Sequence, residues 1–286
     1  MQVIQADLPT QADDVAAPAP TGRVLPPRRY VCANQKGGQG KTTTTVGLGA
    51  EFAASGYRVR ILDCDPQYAS LTYWLPPQWD SAEPGDRYDM SHVLMNEATL
   101  DHATWPTAVP GLFIVPSYHT VNRFEALRPP GADLVLRQAL DEAQPYDVTL
   151  IDCPPNLGLL TVTAIASADD VIIPVLPGGL DIAGVSDLNQ TLGIVRKRLN
   201  PALTVTAVAH RRISSRSRLA DAIERQLLAD YPDAVHQVIR QSVRVAEAPT
   251  VNQTLRQYAP DATATADYKA LAKRLDDRAA ALEAAR

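Results

Sequence analysis

Cysteine is scarce in this chain, with Cys32, Cys64 and Cys153 the only three in 286 residues. Their number is odd and no two share a metal-ligand spacing, which leaves no disulfide framework or zinc site to build. Each sits in or ends an apolar, strand-like run, as small buried thiols in a reducing compartment do. Long apolar runs are missing as well. The best of them, Val171 to Leu180, is broken by Pro174 and Pro177, well short of the roughly 20 residues of a membrane span. No basic start followed by an apolar stretch marks a secretory leader. Basic charge is not in excess either: the net charge is −5, so composition alone does not point to nucleic acid. The apolar fraction of 45% is ordinary and sufficient for a sizeable core, in one large domain or two small ones. The expectation is a soluble, cytoplasmic protein.

Residues 1–28 are rich in Pro, Ala, Gln and Asp and read as a disordered tail that cannot bury enough surface to order itself. From residue 29 to 286 the pattern is that of one domain. Arg29 to Asn34 (RYVCAN) is a short apolar strand running into a glycine turn. Lys41 to Ser55 reads as a helix closed by Gly56. Further strands are expected at Arg58–Asp63, Leu112–Val115, Asp147–Asp152, Asp170–Pro174 and Leu203–Ala209. Helices are expected near Asp133–Ala143, Leu159–Ala166, Ile182–Leu199 and Arg216–Ala229. Strands alternating with helices define an α/β fold, a doubly wound and mostly parallel sheet with helices on both faces. Ligands of such sheets bind beyond the carboxyl ends of the strands, here the first, second and fourth. The run 74–110 carries all three tryptophans, Trp74, Trp79 and Trp105, and reads as an insertion packed on one edge.

The turn itself is NQKGGQGKTTTT, Asn34 to Thr45. Strand, glycine turn, Lys41, Thr42 and helix together make a phosphate-binding loop. Gly37, Gly38 and Gly40 carry no side chains, so backbone N–H groups of the loop, from Lys36 through Gln39 to Thr43, can close around phosphate oxygens at a helix N-terminus. Lys41 is placed to neutralise the β- and γ-phosphates, and the Thr42 hydroxyl to bind Mg²⁺. The usual G-x-x-x-x-G-K-[ST] pattern fails, because its first glycine would fall on Gln35. Lys36 stands at the head of the turn instead, one lysine more than the pattern requires.

With Lys36 at its head, the loop K-G-G-x-G-K-T resembles that of the ParA/MinD group of ATPases. The resemblance implies a P-loop fold, ATP/ADP and Mg²⁺ as cofactors, and a homodimer closed face to face around two ATPs. Lys36 then acts catalytically across the interface, on the nucleotide of the second subunit, while Lys41 serves its own. The second strand ends in ILDCDPQ, Ile61 to Gln67, similar to the group's D-x-D-P-Q. Two carboxylates one residue apart on an extended chain point the same way. By resemblance Asp65 orients the attacking water, and Asp63 supports the Mg²⁺ hydration shell and the loop. The fourth strand ends in LIDCPP, where Asp152 matches the Walker B aspartate that holds Mg²⁺ through water. No glutamate follows it, so the hydrolytic carboxylate must come from elsewhere, with Asp65 the candidate, and turnover is expected to be slow. Gln39 and Tyr68-Ala69 depart from the residues usual at their positions.

Within the group, DNA-partition proteins of the ParA/Soj type are the better match from about Tyr30 to the last helix. The segment VIRQSVRVAEAPTVNQTLRQY, Val238 to Tyr258, is similar to the family's I-P-R-x-V-R-x-x-E-A-P-S at Ile239, Val243-Arg244 and Glu247-Ala248-Pro249. Arg240 takes the proline place and Gln241 that of the first arginine. Between Gln190 and Arg256 eleven Arg/Lys face five acids, a local +6 that leaves −11 for the rest. Such a patch is the electrostatic footprint of phosphate-backbone binding. Arg240 and Arg244, then Arg211, Arg212, Arg216 and Arg218, are the candidate DNA contacts. Binding is expected to be nonspecific, since no recognition helix is evident. The resemblance further implies a ParB-type partner that stimulates hydrolysis, and a nucleoid-associated location. The alternative is a MinD-like, membrane-associated division ATPase. Against it, the last helix, Asp267 to Arg286, has nearly balanced charge and no Trp or Phe, so it would hold lipid poorly. A small-molecule amide-forming enzyme, also in the group, would leave the basic segment without a use. About thirty residues precede the loop, as in the short, chromosomal form.

Overall fold

The computed structural model describes residues 26–66, 70–79, 82–176, 181–212 and 218–284. All but the last three residues of the expected N-terminal tail lie outside the described residues. Eight strands form one sheet: β1 (Arg28–Cys32), β2 (Val59–Asp63), β3 (Trp105–Pro106), β4 (Leu112–Val115), β5 (Val148–Asp152), β6 (Asp170–Val175), β7 (Thr204–Arg212) and β8 (Val235–Arg240). Their spatial order is β3-β4-β2-β5-β1-β6-β7-β8. Every pairing is parallel except the antiparallel β3–β4 contact at one edge.

A parallel sheet must be covered on both faces, and its central strands are accordingly buried and mostly apolar. VRILD in β2 and VTLID in β5 are buried at every position. Side chains alternate between the two layers. Val31, Leu62, Ile151 and Val171 join one core with helices α3 (Met90–Leu94), α4 (Asn122–Leu127), α5 (Val135–Glu142), α6 (Leu159–Ser167), α7 (Asp181–Arg198) and α8 (Arg218–Asp230). Tyr30, Cys32, Ile61, Leu150 and Ile172 point the other way. They pack with α1 (Lys41–Ala54), the short α2 (Ser70–Trp74) and α10 (Leu255–Tyr258), and the long α11 (Thr263–Ala284). The short α9 (Arg244–Glu247) follows β8. All three cysteines are free and buried.

The expected α/β architecture is present, with shifts at the element ends. β1 stops at Cys32 rather than Asn34, because Asn34 turns aside and its Nδ2 donates to the Pro174 carbonyl at 2.8 Å. β7 continues three residues beyond Ala209, to Arg212, because β8 lies beside it and pairs Arg211 with Ile239 and Arg212 with Arg240. β8 itself was not anticipated, since VHQVIR alternates weakly and is only half buried. The run 74–110 lies along the β4 edge, where Trp105 is buried and donates through Nε1 to the Tyr88 carbonyl. In α11 an apolar stripe faces inward: Tyr268, Leu271 and Leu275 are buried against the sheet, while Leu282 is exposed. No described helix is long and apolar enough to cross a membrane.

Candidate functional site

The carboxyl ends of β1, β2 and β5 lie side by side, with Cys32 opposite Asp152 and Asp152 opposite Asp63. From β1 the chain enters the glycine turn, where Gly38 and Gly40 take φ of +75° and +89°. That region is open to glycine at no steric cost. Gly40 caps α1 without a side-chain hydrogen bond, so the free N–H groups of the first helical turn face outward as anion donors. The loop is pinned from behind. Asn34 Oδ1 accepts from Lys36 N at 3.2 Å, and the buried Gln39 accepts from Leu176 N at 2.7 Å through Oε1. Gln39 was expected among the phosphate contacts, but that side chain is turned to the end of β6 and only its backbone remains for a ligand.

Lys41 is buried, with Nζ 3.4 Å from the Lys36 carbonyl. One helical position on, Thr42 donates through Oγ1 to Asp152 Oδ2 at 2.6 Å, and Thr45 Oγ1 lies 3.4 Å from Asp152 Oδ1. Asp63 is saturated with donors: Asp65 N at 3.0 Å, Thr72 N at 3.0 Å and Thr72 Oγ1 at 2.6 Å. It thereby fixes the turn that carries Asp65. A cavity of about 410 Å³ opens over these groups and is lined by Gly37, Gly38, Gly40, Lys41, Thr42, Thr43 and Asp65, with Trp74, Pro155, Arg211 and Pro249 on its walls.

Burial first, and the facing Asp63 next, push the Asp152 carboxyl up to about 8. Burial likewise raises Asp63, to about 7, against the hydrogen bonds from Thr72 and Asp65. The cavity floor therefore crowds hard oxygen donors that a divalent cation would hold ionised. The donor set of one hydroxyl and carboxylates fits Mg²⁺, which keeps most of its waters and binds through few protein groups.

The arginines separate into two places. Arg240 forms a double contact with Asp267 on α11, Nε to Oδ2 at 2.9 Å and Nη2 to Oδ1 at 2.7 Å. Arg244 pairs with Glu247 at 2.8 Å, and both guanidinium groups remain more than half exposed. Arg211, grouped with them as a candidate DNA contact, shares a small cleft with Arg240 and also reaches the glycine turn. Ala207 and Ala209 face the α1–α11 layer, so two-residue alternation carries Arg211 to that side, against the glycine turn. Its Nη1 donates to the Gly38 carbonyl at 3.3 Å. Arg216 lies outside the described residues, as do Tyr68-Ala69, and only the backbones of Arg212 and Arg218 are described. Sequence reasoning missed the wall opposite the loop. Trp74 Nε1 donates to the Gln253 carbonyl at 2.6 Å, tying α2 to the segment that brings Pro249 to the cavity. No local pattern announces that long-range contact.

A parallel sheet whose first strand feeds a glycine turn, a Lys-Thr helix start and a facing strand-end aspartate defines a P-loop nucleoside triphosphatase. Comparison with known proteins narrows this. An AAA domain family matches residues 28–205. The chromosome-partitioning ATPase Soj of Thermus thermophilus is 38% identical over 248 residues, 86% of this chain and 94% of that one. The chromosome partitioning protein ParA of Caulobacter vibrioides is 34% identical over 259 residues, 88% and 95% of the two chains. Among solved structures, cobyrinic acid a,c-diamide synthase of Mycobacterium smegmatis, with a bound ATP analog and magnesium, superimposes with a TM-score of 0.69 at 26% identity, covering 87% and 93%. The chain belongs to this AAA domain family and, within it, to the ParA/Soj-type partition ATPases.

Proposed function

We propose that this protein is an ATP-dependent DNA-partition ATPase, working with ATP or ADP and Mg²⁺ as an on–off dimer. The observation that carries the reading is the cavity lined by Lys41, Thr42 and Asp65 at a glycine turn headed by a second lysine, with Asp152 hydrogen-bonded to Thr42 behind it. Backbone N–H groups from Gly37 to Thr43 hold phosphate oxygens, and Lys41 offsets their charge. Thr42 would bind the metal and Asp152 would hold its waters, while Asp63 holds the turn that carries Asp65. When bound, magnesium neutralises and orients the phosphates. Asp65 positions the attacking water, held in place because Asp63 clamps its backbone N–H.

Lys36 reaches the phosphates of a second subunit, so ATP closes two copies face to face. The closed dimer then retains DNA without sequence preference, through Arg240 and Arg244 with Arg212, Arg216 and Arg218. Pro249, on the cavity wall, is five residues beyond Arg244, so one short segment touches both functions. A ParB-type partner speeds the slow hydrolysis and releases DNA. Residues 29–286 act as one domain behind the N-terminal tail, in the cytoplasm on the nucleoid. The relatives named for chromosome partitioning support this reading over the membrane one, and so does the burial of the apolar stripe of α11.

The test is a DNA retention assay with ATP, ADP and no nucleotide, beside co-sedimentation with anionic liposomes. DNA retention is expected with ATP only, and no sedimentation with liposomes. ATP-dependent liposome binding without DNA retention would overturn the proposal.

A further inference from the structure

Arg211 is the one arginine of the basic segment with a described side chain that lies on the cavity wall rather than on the outer surface. It stands near the carboxyl end of β7, where ligands of parallel sheets bind. Strand alternation aims it at the glycine turn, and the approach is close. A Cβ built on Gly40 would sit 2.8 Å from Arg211 Cδ and 3.1 Å from its Nη1. The guanidinium meets the loop at a single long hydrogen bond, 3.3 Å to the Gly38 carbonyl, whereas Arg240 and Arg244 are each held by a carboxylate. One neutral acceptor leaves most of its five donors for something else in reach. Arg211 approaches Gly40, and the cavity it lines is shared with Thr42 and Thr43 at the helix start proposed to receive phosphate oxygens.

We infer that Arg211 is a nucleotide-binding residue, a cation of the subunit's own site that grips the phosphate chain of ADP or ATP beside Lys41. This rests on the nucleotide reading above and changes the role of one residue from DNA contact to ligand contact. A planar guanidinium suits the task, since it meets two phosphate oxygens at once and stays charged. Arg211 also borders a second, smaller cleft of about 90 Å³ with Arg240, Gln241 and Ser242.

The experiment is calorimetric titration of MgADP, which avoids ATP-driven pairing, into the wild type, Arg211→Ala and Arg211→Lys over a series of salt concentrations. Loss of a charge-assisted contact is expected to weaken MgADP binding about tenfold to a hundredfold in Arg211→Ala. Arg211→Lys should recover part of that loss, and the alanine variant should respond less steeply to salt. Circular dichroism and melting temperature establish that each variant is folded, and Arg211→Gln replaces the alanine variant if that one is not. MgADP affinity within about twofold of wild type overturns the inference, as does a loss that keeps the wild-type salt dependence. DNA retention that falls while MgADP affinity holds would return Arg211 to the DNA surface. A wild type that binds no MgADP at all would instead sink the nucleotide reading itself.

Discussion

Asp63 and Asp65 are chemically alike and two residues apart, yet their surroundings give them different work. Asp63 accepts three hydrogen bonds and is fully enclosed, whereas Asp65 gives the turn its backbone N–H and lines the cavity. The backbone N–H that Asp63 holds is retained in Asp65→Ala. Asp65→Ala is expected to lower ATP turnover by about a hundredfold or more, the range of a lost water-positioning group. Its MgADP affinity should stay within about threefold of wild type. Phosphate-release kinetics and titration check the two halves, and normal turnover would remove Asp65 from the chemistry. Lys36 calls for a different measurement because its proposed ligand belongs to another subunit. Lys36→Ala is expected to keep MgADP binding but to lose ATP-dependent dimers in light scattering. Dimers that persist would leave the extra lysine without its role.

At the scale of elements, α1 is the part everything else leans on. Its first turn forms the loop's anion site, and nearly all its residues from Thr44 to Ala53 are buried between the sheet and α11. Two glycines make that sandwich thin enough. A Cβ on Gly47 would meet Tyr268 Cγ at 2.8 Å, and one on Gly49 would meet Ile61 Cδ1 at 2.7 Å. Alanine is the better helix former by about 1 kcal/mol, so propensity alone argues for a gain. Against Gly47 stands the root of a buried ring that cannot swing away, and overpacking of a tight core costs about 1–3 kcal/mol. Gly47→Ala should therefore destabilise the protein, by about 1 kcal/mol once the two are set against each other. A urea midpoint equal to or above wild type would show that α11 can yield. These packing glycines are not visible as such in the sequence, where Gly47 and Gly49 look like weak points in a helix. The strands around them were legible, because β1, β2, β5 and β6 are short, largely apolar runs bounded by turns. β8 was not, since its half-polar VHQVIR becomes a strand only by pairing with β7. That omission also hid the last three residues of β7. With the strand ending at Ala209, Arg211 was one more charge in a basic run; with β8 beside it, alternation points it at the glycine turn. The site's floor was readable because Lys41, Thr42, Asp63, Asp65 and Asp152 each sit at a fixed offset from a strand end. Its walls, Trp74 and Pro249, come from chain segments joined only by tertiary contact.

For the whole molecule the governing quantity is the distribution of charge, +6 over Gln190–Arg256 against −11 elsewhere. An acidic body keeps a polyanion such as DNA at a distance except where the basic segment faces it. Within that segment Arg240 and Arg244 are not idle cations, because Asp267 and Glu247 already occupy them. The Arg244–Glu247 pair is exposed on both sides and would readily exchange carboxylate for phosphate in the proposed DNA complex, whereas Asp267 is buried and Arg240 would add a phosphate on its exposed side. Each such contact still releases a counterion from the duplex, so binding should weaken steeply with salt. Converting both arginines to alanine tests this without adding new negative charge. In the presence of ATP, Arg240→Ala with Arg244→Ala is expected to weaken DNA retention equally for unrelated sequences. The slope of log affinity against log salt should fall by about one to two, the share of two phosphate contacts. Light scattering in ATP must still show the dimer, so that lost pairing is not mistaken for lost contact. An unchanged slope with an intact dimer would move the DNA surface away from the end of β8, leaving Arg212, Arg216 and Arg218 to carry it.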